Sequence, residues 1–567
     1  MYLRCLRRKK TSLSYFIVCL ALISFDKAAA QDGIYKHAAV VCAHPEAAKV
    51  GVEIMRQGGN AIDAAVAVQF ALAVVYPNAG NIGGGGFLLY RSKAGHTDAL
   101  DYREEAPQKA SRDMYLDAQG NPVTDKSLFG ALASGVPGSV DGMVKAHAKY
   151  GKLNWKKDIQ PAIDLAENGF PVTAQQAAEL NKNKEGFLKY NRKSVAFVKD
   201  EPWKAGDLLK QPVLAATLKL IRDKGRAGFY EGSVAAAIVT SMSHTSGVIT
   251  TTDLKHYEAV WRKPVSGRYN GYTVISMPPP SSGGISLITL LKQVSKYPVK
   301  QWGFQRDSTV QLMVEAERRA YADRASYLGD PDFFKVPQTA LLDTNYILSR
   351  IKDISFAKAT PSSEIKPGTL SVHESEQTTH YSIVDSEGNA VSATTTLNGS
   401  YGSMVVVEGG GFILNNEMDD FSVKPGSPNM YGLIGGEANS IAPGKRMLSS
   451  MTPTILEQNG KLLMVVGTPG GSTIITSVFQ TILNVLAFGK DMQSAVAAPR
   501  FHHQWLPDVI DVEKGAIDPA TRAELEAKGY IIKERGPMGR VDAILVKPDG
   551  QLETGADPRG NDKGSGF

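Results

Sequence analysis

The sequence predicts an α+β fold in which helices cover a layered sheet, and three observations predict it. Helix-period patterns crowd the first two thirds of the chain. Strand-like runs cluster in the last third. Neither a short repeat nor a low-complexity linker divides the 567 residues, although length alone would suggest about three or four domains.

The elements follow in chain order. Residues 1–30 stand apart: "RCLRRKK" is a basic n-region, "SLSYFIVCLALISF" an apolar h-region, and "KAAAQ" offers small residues for cleavage after Ala30. The apolar run is short for a bilayer span, and no later segment reaches about 18 apolar residues. The expected location is therefore the periplasm or the exterior, with no membrane span. "NAIDAAVAVQFALAVVYP" after Gly-Gly reads as a helix, and so does "TVQLMVEAERRAYADRASYLG", which stops at Gly-Asp-Pro. "GGGGFLLYRSK", "GYTVISMPPP", "TTHYSIVD", "AVSATTTL", "KLLMVVGTPGG" and "RVDAILVKPDG" read as strands. Residues 353–377, rich in Ser, Pro, Lys and Glu, read as exposed and flexible.

Charge and cysteine exclude several function classes. Of 63 Lys+Arg and 57 Asp+Glu, six and one lie in the leader, so the formal +6 falls to +1 in the mature chain. That balance indicates no basic face for nucleic acid. Cys5 and Cys19 leave with the leader, so Cys42 can form no internal disulfide. In "HAAVVCAHP" it reads as core rather than nucleophile. His502 and His503 are adjacent and lack metal-ligand spacing. "GGGG" at 83–86 is followed by no Lys-Ser/Thr and fits no GxGxxG pattern, so it does not indicate a nucleotide site.

The most informative stretch is "TTHYSIVDSEGNAVSATTTLNGSYGS", residues 378–403. With a loop at 385–389 the hairpin register sets Val384 opposite Ala390 and, counting outward, Thr378 opposite Thr396. An ordinary cross-strand Thr pair would satisfy that register. So would a nucleophile, because a polar tail meets the hairpin at Gln377–Thr378, where cleavage would make Thr378 a new N-terminus. Its α-amine, with a reference pKa near 7.7 to 8.0, would be a local base for its hydroxyl. His380, on the same face by strand alternation, is the competing base.

This stretch resembles the start of the small subunit of γ-glutamyltranspeptidases, N-terminal nucleophile hydrolases made as one precursor. "GGNAIDAAVA", "GGGGFLLY", "DYREEAP", "GVPG", "MPPPSSGG", "AERRAYADR", "PGKRMLSSMTPTI", "GTPGGS" and "APRFHHQW" match in the family's order. The resemblance implies a four-layer αββα sandwich shared by a large subunit (31–377) and a small one (378–567), cut between Gln377 and Thr378. It implies Thr378 as nucleophile, oriented by Thr396, with the Gly470 and Gly471 N–H groups receiving the oxyanion. Arg103, Ser449 and Ser450 would hold the substrate α-carboxylate; Asn398, Glu417 and Asp420 would hold its α-ammonium. Glu417 stands where some relatives carry glutamine, adding a negative charge. Tyr431, in the Gly- and Pro-rich stretch 424–436, matches the lid aromatic of bacterial members. The implied activity is γ-glutamyl transfer and glutathione hydrolysis, acting on glutathione, glutamine or other γ-glutamyl amides with amino-acid or peptide acceptors. Neither metal nor cofactor is called for. Two alternatives stay open: an acylase of the same superfamily, and an exported protein that binds γ-glutamyl compounds without turnover.

Overall fold

The computed structural model describes residues 33–366, 378–424 and 437–567. Two antiparallel seven-stranded sheets form its centre. The first runs in the order Lys563–Gly566, Ala39–Cys42, Thr379–Val384, Ala390–Thr396, Gly85–Arg91, Thr97–Asp101, Val260–Arg262. The second runs Gly33–Tyr35, Leu552–Ala556, Asp542–Val546, Lys461–Gly467, Thr454–Gln458, Tyr272–Ser276, Val265–Tyr269. Both draw strands from both sides of residue 377. The sequence reading placed the strands mainly in the last third; here nine of the nineteen precede residue 367. Several of those nine are only two to five residues long, too short for alternation to stand out.

Period two explains the layering. In strand Ala39–Cys42, Val40 and Cys42 join one buried cluster and Ala39 and Val41 the other. The first cluster lies under helices Pro45–Arg56 and Ala61–Val75; the second fills the space between the sheets and continues under helices Gly283–Val294 and Thr473–Leu486. The result is helix, sheet, sheet, helix. Helix Ala61–Val75 is buried over its whole length, so an apolar surface all round suits it. Asn60 caps it through a reciprocal pair with Asp63.

The predicted hairpin is present, with Val384 opposite Ala390 and Thr379 opposite Thr395. Its inner face is polar. Ser382 donates to the Asp542 carbonyl at 3.0 Å and Ser392 to the Val466 carbonyl at 3.2 Å, tying it to the second sheet. The "GGGG" run packs alongside: a Cβ at Gly84 would lie 1.9 Å from the Thr396 carbonyl oxygen and one at Gly83 would lie 2.1 Å from that of Ile413. These glycines permit close backbone approach, which accounts for the motif without a phosphate. Cys42 is buried, and burial pushes its thiol far above the ordinary range. Residues 353–366 are less free than expected, since the Trp505 indole donates to the carbonyls of Ser362 and Ile365, each at 3.0 Å. The leader, residues 367–377 with Gln377, and the lid residue Tyr431 lie outside the described residues. Among those described, no helix is long and apolar enough to cross a membrane.

Candidate active site

Thr378 sits one residue before strand Thr379–Val384, half-buried, and its Oγ1 is buried without a hydrogen-bond partner. It lines an open cleft of about 320 Å³ with Asn398, Gly470, Tyr76, Glu179, Arg540 and Arg559. A cavity of similar size lies elsewhere, around residues 190–196 and 405–409, and Thr378 does not reach it. The Thr396 hydroxyl accepts from the Asn398 N–H at 2.7 Å and lies against the Glu417 carboxylate. The chain turns sharply at Asn398 (φ 65°), and a threonine hydroxyl two residues back closes such a turn.

The turn after strand Lys461–Gly467 brings in the two glycines. Gly470 (φ 131°) and Gly471 (φ 62°) hold conformations that side chains disfavour. Neither N–H has an acceptor among the described residues. Helix Thr473–Leu486 starts immediately after them, so its positive end adds to the field at these donors. Ser472 fixes the turn by hydrogen bonds to His502 Nε2 (3.2 Å) and Gln504 Oε1 (2.6 Å). His502 and Gln504 of "FHHQW" thus buttress the loop, while His503 Nε2 lies 3.2 Å from Asp508 Oδ1. Burial pushes the pKa values of the two histidines down to about 3 and about 4.

His380 is engaged within the hairpin and held neutral by burial. Its ring is fully buried between the sheets, Nδ1 2.9 Å from Thr394 Oγ1 and Nε2 3.1 Å from Ser382 Oγ. Burial pushes its pKa down to about 3. A Cβ on Gly467 would stand 2.3 Å from this ring, so the first glycine of "GTPGGS" makes room for the histidine.

A buried ionic cluster lies beyond Thr396. Arg103 is 1% exposed, with Nη1 2.7 Å from Glu417 Oε2 and 3.7 Å from Glu104 Oε2, and Nη2 on Asp420. Its Nε donates to the Met447 carbonyl and Nη2 to that of Leu448, both at 3.2 Å, next to Ser449 and Ser450. Arg103 is therefore no surface partner of Glu105, which pairs with Arg446 at 2.7 Å. Burial, reinforced by the Glu417 charge, holds the Glu104 carboxyl well above the usual range; burial raises Glu417 too, against the pull of Arg103. The acidic turn Glu417–Asp420 is likewise buried rather than solvated.

A sequence profile of the family described as gamma-glutamyltranspeptidase matches residues 47–567. The chain belongs to this family. A "Glutathione hydrolase proenzyme" of Escherichia coli (strain K12) is 50% identical over 529 residues, covering 93% of this chain and 91% of that protein. The crystal structure of Helicobacter pylori gamma-glutamyltranspeptidase is 46% identical, with a TM-score of 0.56 over 57% of this chain and 94% of that one. A cephalosporin acylase from Bacillus halodurans, 27% identical, superposes with a TM-score of 0.84 over 95% of this chain and 97% of that one.

The structure places Thr378, Asn398 and Gly470 on one cleft; Thr396 contacts Asn398 and Glu417, Arg103 holds Glu417 and Asp420, and its bond to the Leu448 carbonyl brings it to the residue before Ser449 and Ser450. It adds residues the sequence reading did not assign. Arg324, 2% exposed, donates to Ser282 Oγ at 2.9 Å and to Ser450 Oγ at 2.8 Å. Asn439 donates to the Asp420 carbonyl at 2.7 Å and accepts from the Leu448 N–H at 3.0 Å, joining the acidic turn to the Ser449–Ser450 segment. Arg324 and Ser282 sat in motifs already noted, "AERRAYADR" and "MPPPSSGG"; a charged residue within a matched helical motif was the available signal. One group with metal-ligand chemistry occurs among the described residues, Asp63, His147 and Asp158. Its His147 Nε2 lies 3.0 Å from the Leu153 carbonyl and 3.3 Å from Asp158, and Asp63 accepts backbone N–H groups. That knot joins helix ends and shares no residue with the cleft.

Proposed function

We propose that the chain is a γ-glutamyltransferase and glutathione hydrolase, matured by its own cleavage between Gln377 and Thr378. Large (31–377) and small (378–567) subunits would then remain together as a heterodimer, exported by the 1–30 leader. The observation that carries the reading is an unpartnered Thr378 hydroxyl that lines one cleft with Gly470, at a turn whose two glycine N–H groups have no acceptor among the described residues.

In the mature protein the Thr378 α-amine takes the hydroxyl proton, and Oγ attacks the γ-carbonyl carbon of glutathione or another γ-glutamyl amide. Charge builds on the carbonyl oxygen, where Gly470 and Gly471 N–H groups meet it; one such donor is worth roughly 3 to 4 kcal/mol of barrier. The amine leaves with the proton and a γ-glutamyl ester remains on Thr378. Water resolves it to glutamate, or an amino acid or peptide takes the group. The donor's α-carboxylate meets Arg103, Ser449 and Ser450, and its α-ammonium meets Asn398, Glu417 and Asp420. Arg103 is already paired with Glu417 and Asp420, so a zwitterion enters by exchanging one set of opposite charges for another and adds no net charge to the cluster. Tyr431 would close over it.

The α-ammonium site also separates this reading from a glutaryl acylase, whose acyl group carries no amine. Turnover of a γ-glutamyl anilide, with and without a dipeptide acceptor, tests it against glutaryl anilide. Preference for glutaryl anilide would favour the acylase. An intact chain on a denaturing gel with no turnover would indicate a binding protein.

A further inference from the structure

The cleft at Thr378 is lined by neither Arg103, Glu417 nor Ser449. On the reading above, Asn398 and Gly470 mark the edge of the cleft shared with the glutamyl group, and the rest of it, away from that edge, receives the leaving amine and the incoming acceptor. Its charged lining is Glu179, Arg540 and Arg559. Both arginines are committed. Arg540 forks onto Asp562 at 2.9 and 3.1 Å and touches the Tyr76 hydroxyl. Arg559 holds Glu513 at 2.7 Å, Asp557 at 3.0 Å and the carbonyls of Val496 and Ala498.

Glu179 is placed differently. It projects from helix Ala174–Tyr190, half-buried, and accepts from the Gln175 amide one turn earlier at 3.2 Å. No cation pairs with it among the described residues. Its charge is felt across the cleft, adding to the upward shift of the Tyr76 and Tyr401 hydroxyls that burial begins. The cleft thus presents one uncompensated negative charge to whatever attacks the ester.

We infer that Glu179 sets acceptor selectivity, favouring an amine whose own carboxylate is capped or distant over one carrying a free carboxylate nearby. The step it biases is aminolysis. The acceptor nitrogen bonds to the γ-carbonyl carbon, the bond from that carbon to Thr378 Oγ breaks, and the amine proton passes through the Thr378 α-amine to Oγ. Glu179 exchanges no proton; it acts through its field on the acceptor's charges.

The inference rests on the functional reading, and the experiment separates the two. With a γ-glutamyl anilide as donor, kcat/KM is measured for glycylglycine and for glycylglycinamide, which differ only in the terminal carboxylate. Each preference is a ratio within one protein, so loss of active enzyme cancels. A unit charge several ångströms away in screened surroundings corresponds to about a three- to fivefold preference for the amide. Glu179→Gln should bring that ratio near unity, and Glu179→Lys should invert it. An equal ratio in wild type and Glu179→Gln, or no preference in wild type, would overturn the inference. Absence of any anilide turnover by the wild type would be a different failure, that of the functional reading itself.

Discussion

Arg103→Ala is the substitution with the most to decide. It removes a guanidinium that is 1% exposed and lies between Glu417 and Asp420, with Glu104 at 3.7 Å. Stranding buried carboxylates costs about 3 to 5 kcal/mol. The lower end applies here, because Glu104 and Glu417 already lean toward their protonated forms and can neutralise themselves. Thermal unfolding should therefore shift down clearly. Activity should suffer separately: each charge-assisted bond to the donor carboxylate is worth about 1.5 to 3 kcal/mol, or roughly 10- to 150-fold in kcat/KM. A second substrate separates the two effects. γ-Glutamyl anilide is compared with 4-aminobutyryl anilide, which has the same chain and amine but no α-carboxylate. The variant should lose at least tenfold more activity on the first than on the second. Arg103→Lys should regain most of the stability and only part of the activity, since it restores charge without the fork. Equal losses on both substrates would refute the reasoning and leave Arg103 a purely structural ion-pair partner.

Four further outcomes are expected. Thr378→Ala should stay a single chain on a denaturing gel and Thr378→Ser should mature slowly, while N-terminal sequencing of the natural small fragment should begin at Thr378; any other start contradicts the proposed cut. kcat/KM should rise along one basic limb through neutral pH, and His380→Gln, if it folds and matures, should leave that limb in place, because burial holds the His380 pKa down to about 3 and the ring is neutral throughout; a vanished limb would make histidine the base. The depressed values of His380, His502 and His503 also mean that the unfolded chain binds the extra protons, so stability should fall as pH drops from about 6.5 toward 3. Glu104 has the opposite sign: its raised pKa makes it stabilising below its ordinary value and costly as pH rises. Glu104→Gln should raise the unfolding temperature at neutral pH by an amount that shrinks in acid; a lowered temperature at neutral pH would show that its charge is needed beside Arg103.

What the sequence made legible was local. The hairpin register from Val384–Ala390 to Thr379–Thr395 followed from counting outward from a five-residue loop, and the helix after Asn60 was visible in its capping residues and apolar run. The Gly470–Gly471 turn was readable for the same reason, since a glycine pair after a strand carries its own conformational meaning. Arg103 could be selected but not understood. "DYREEAP" places two glutamates beside it in sequence, yet its nearest partners are Glu417 and Asp420, more than 300 residues away. Whether an arginine is at the surface or sealed among three carboxylates depends on how the sheets stack, which no local pattern encodes. Thr396 shows the finer limit: alternation gave its place, but not the turn at Asn398 or the Glu417 carboxylate that its hydroxyl meets.

The strand order has a mechanical meaning. Strand Thr379–Val384 lies between Ala39–Cys42 and Ala390–Thr396, Lys563–Gly566 borders Ala39–Cys42 again, and Tyr272–Ser276 borders Thr454–Gln458. A cut before Thr378 therefore opens a covalent bond without creating a separable interface. Pulling the two pieces apart would mean unzipping backbone ladders in both sheets at once, so parting them is equivalent to denaturing them. Neither piece can exchange into another molecule while folded, and halves produced apart would have to weave both sheets together from the start. Maturation is then a one-way event whose product keeps the fold of its precursor.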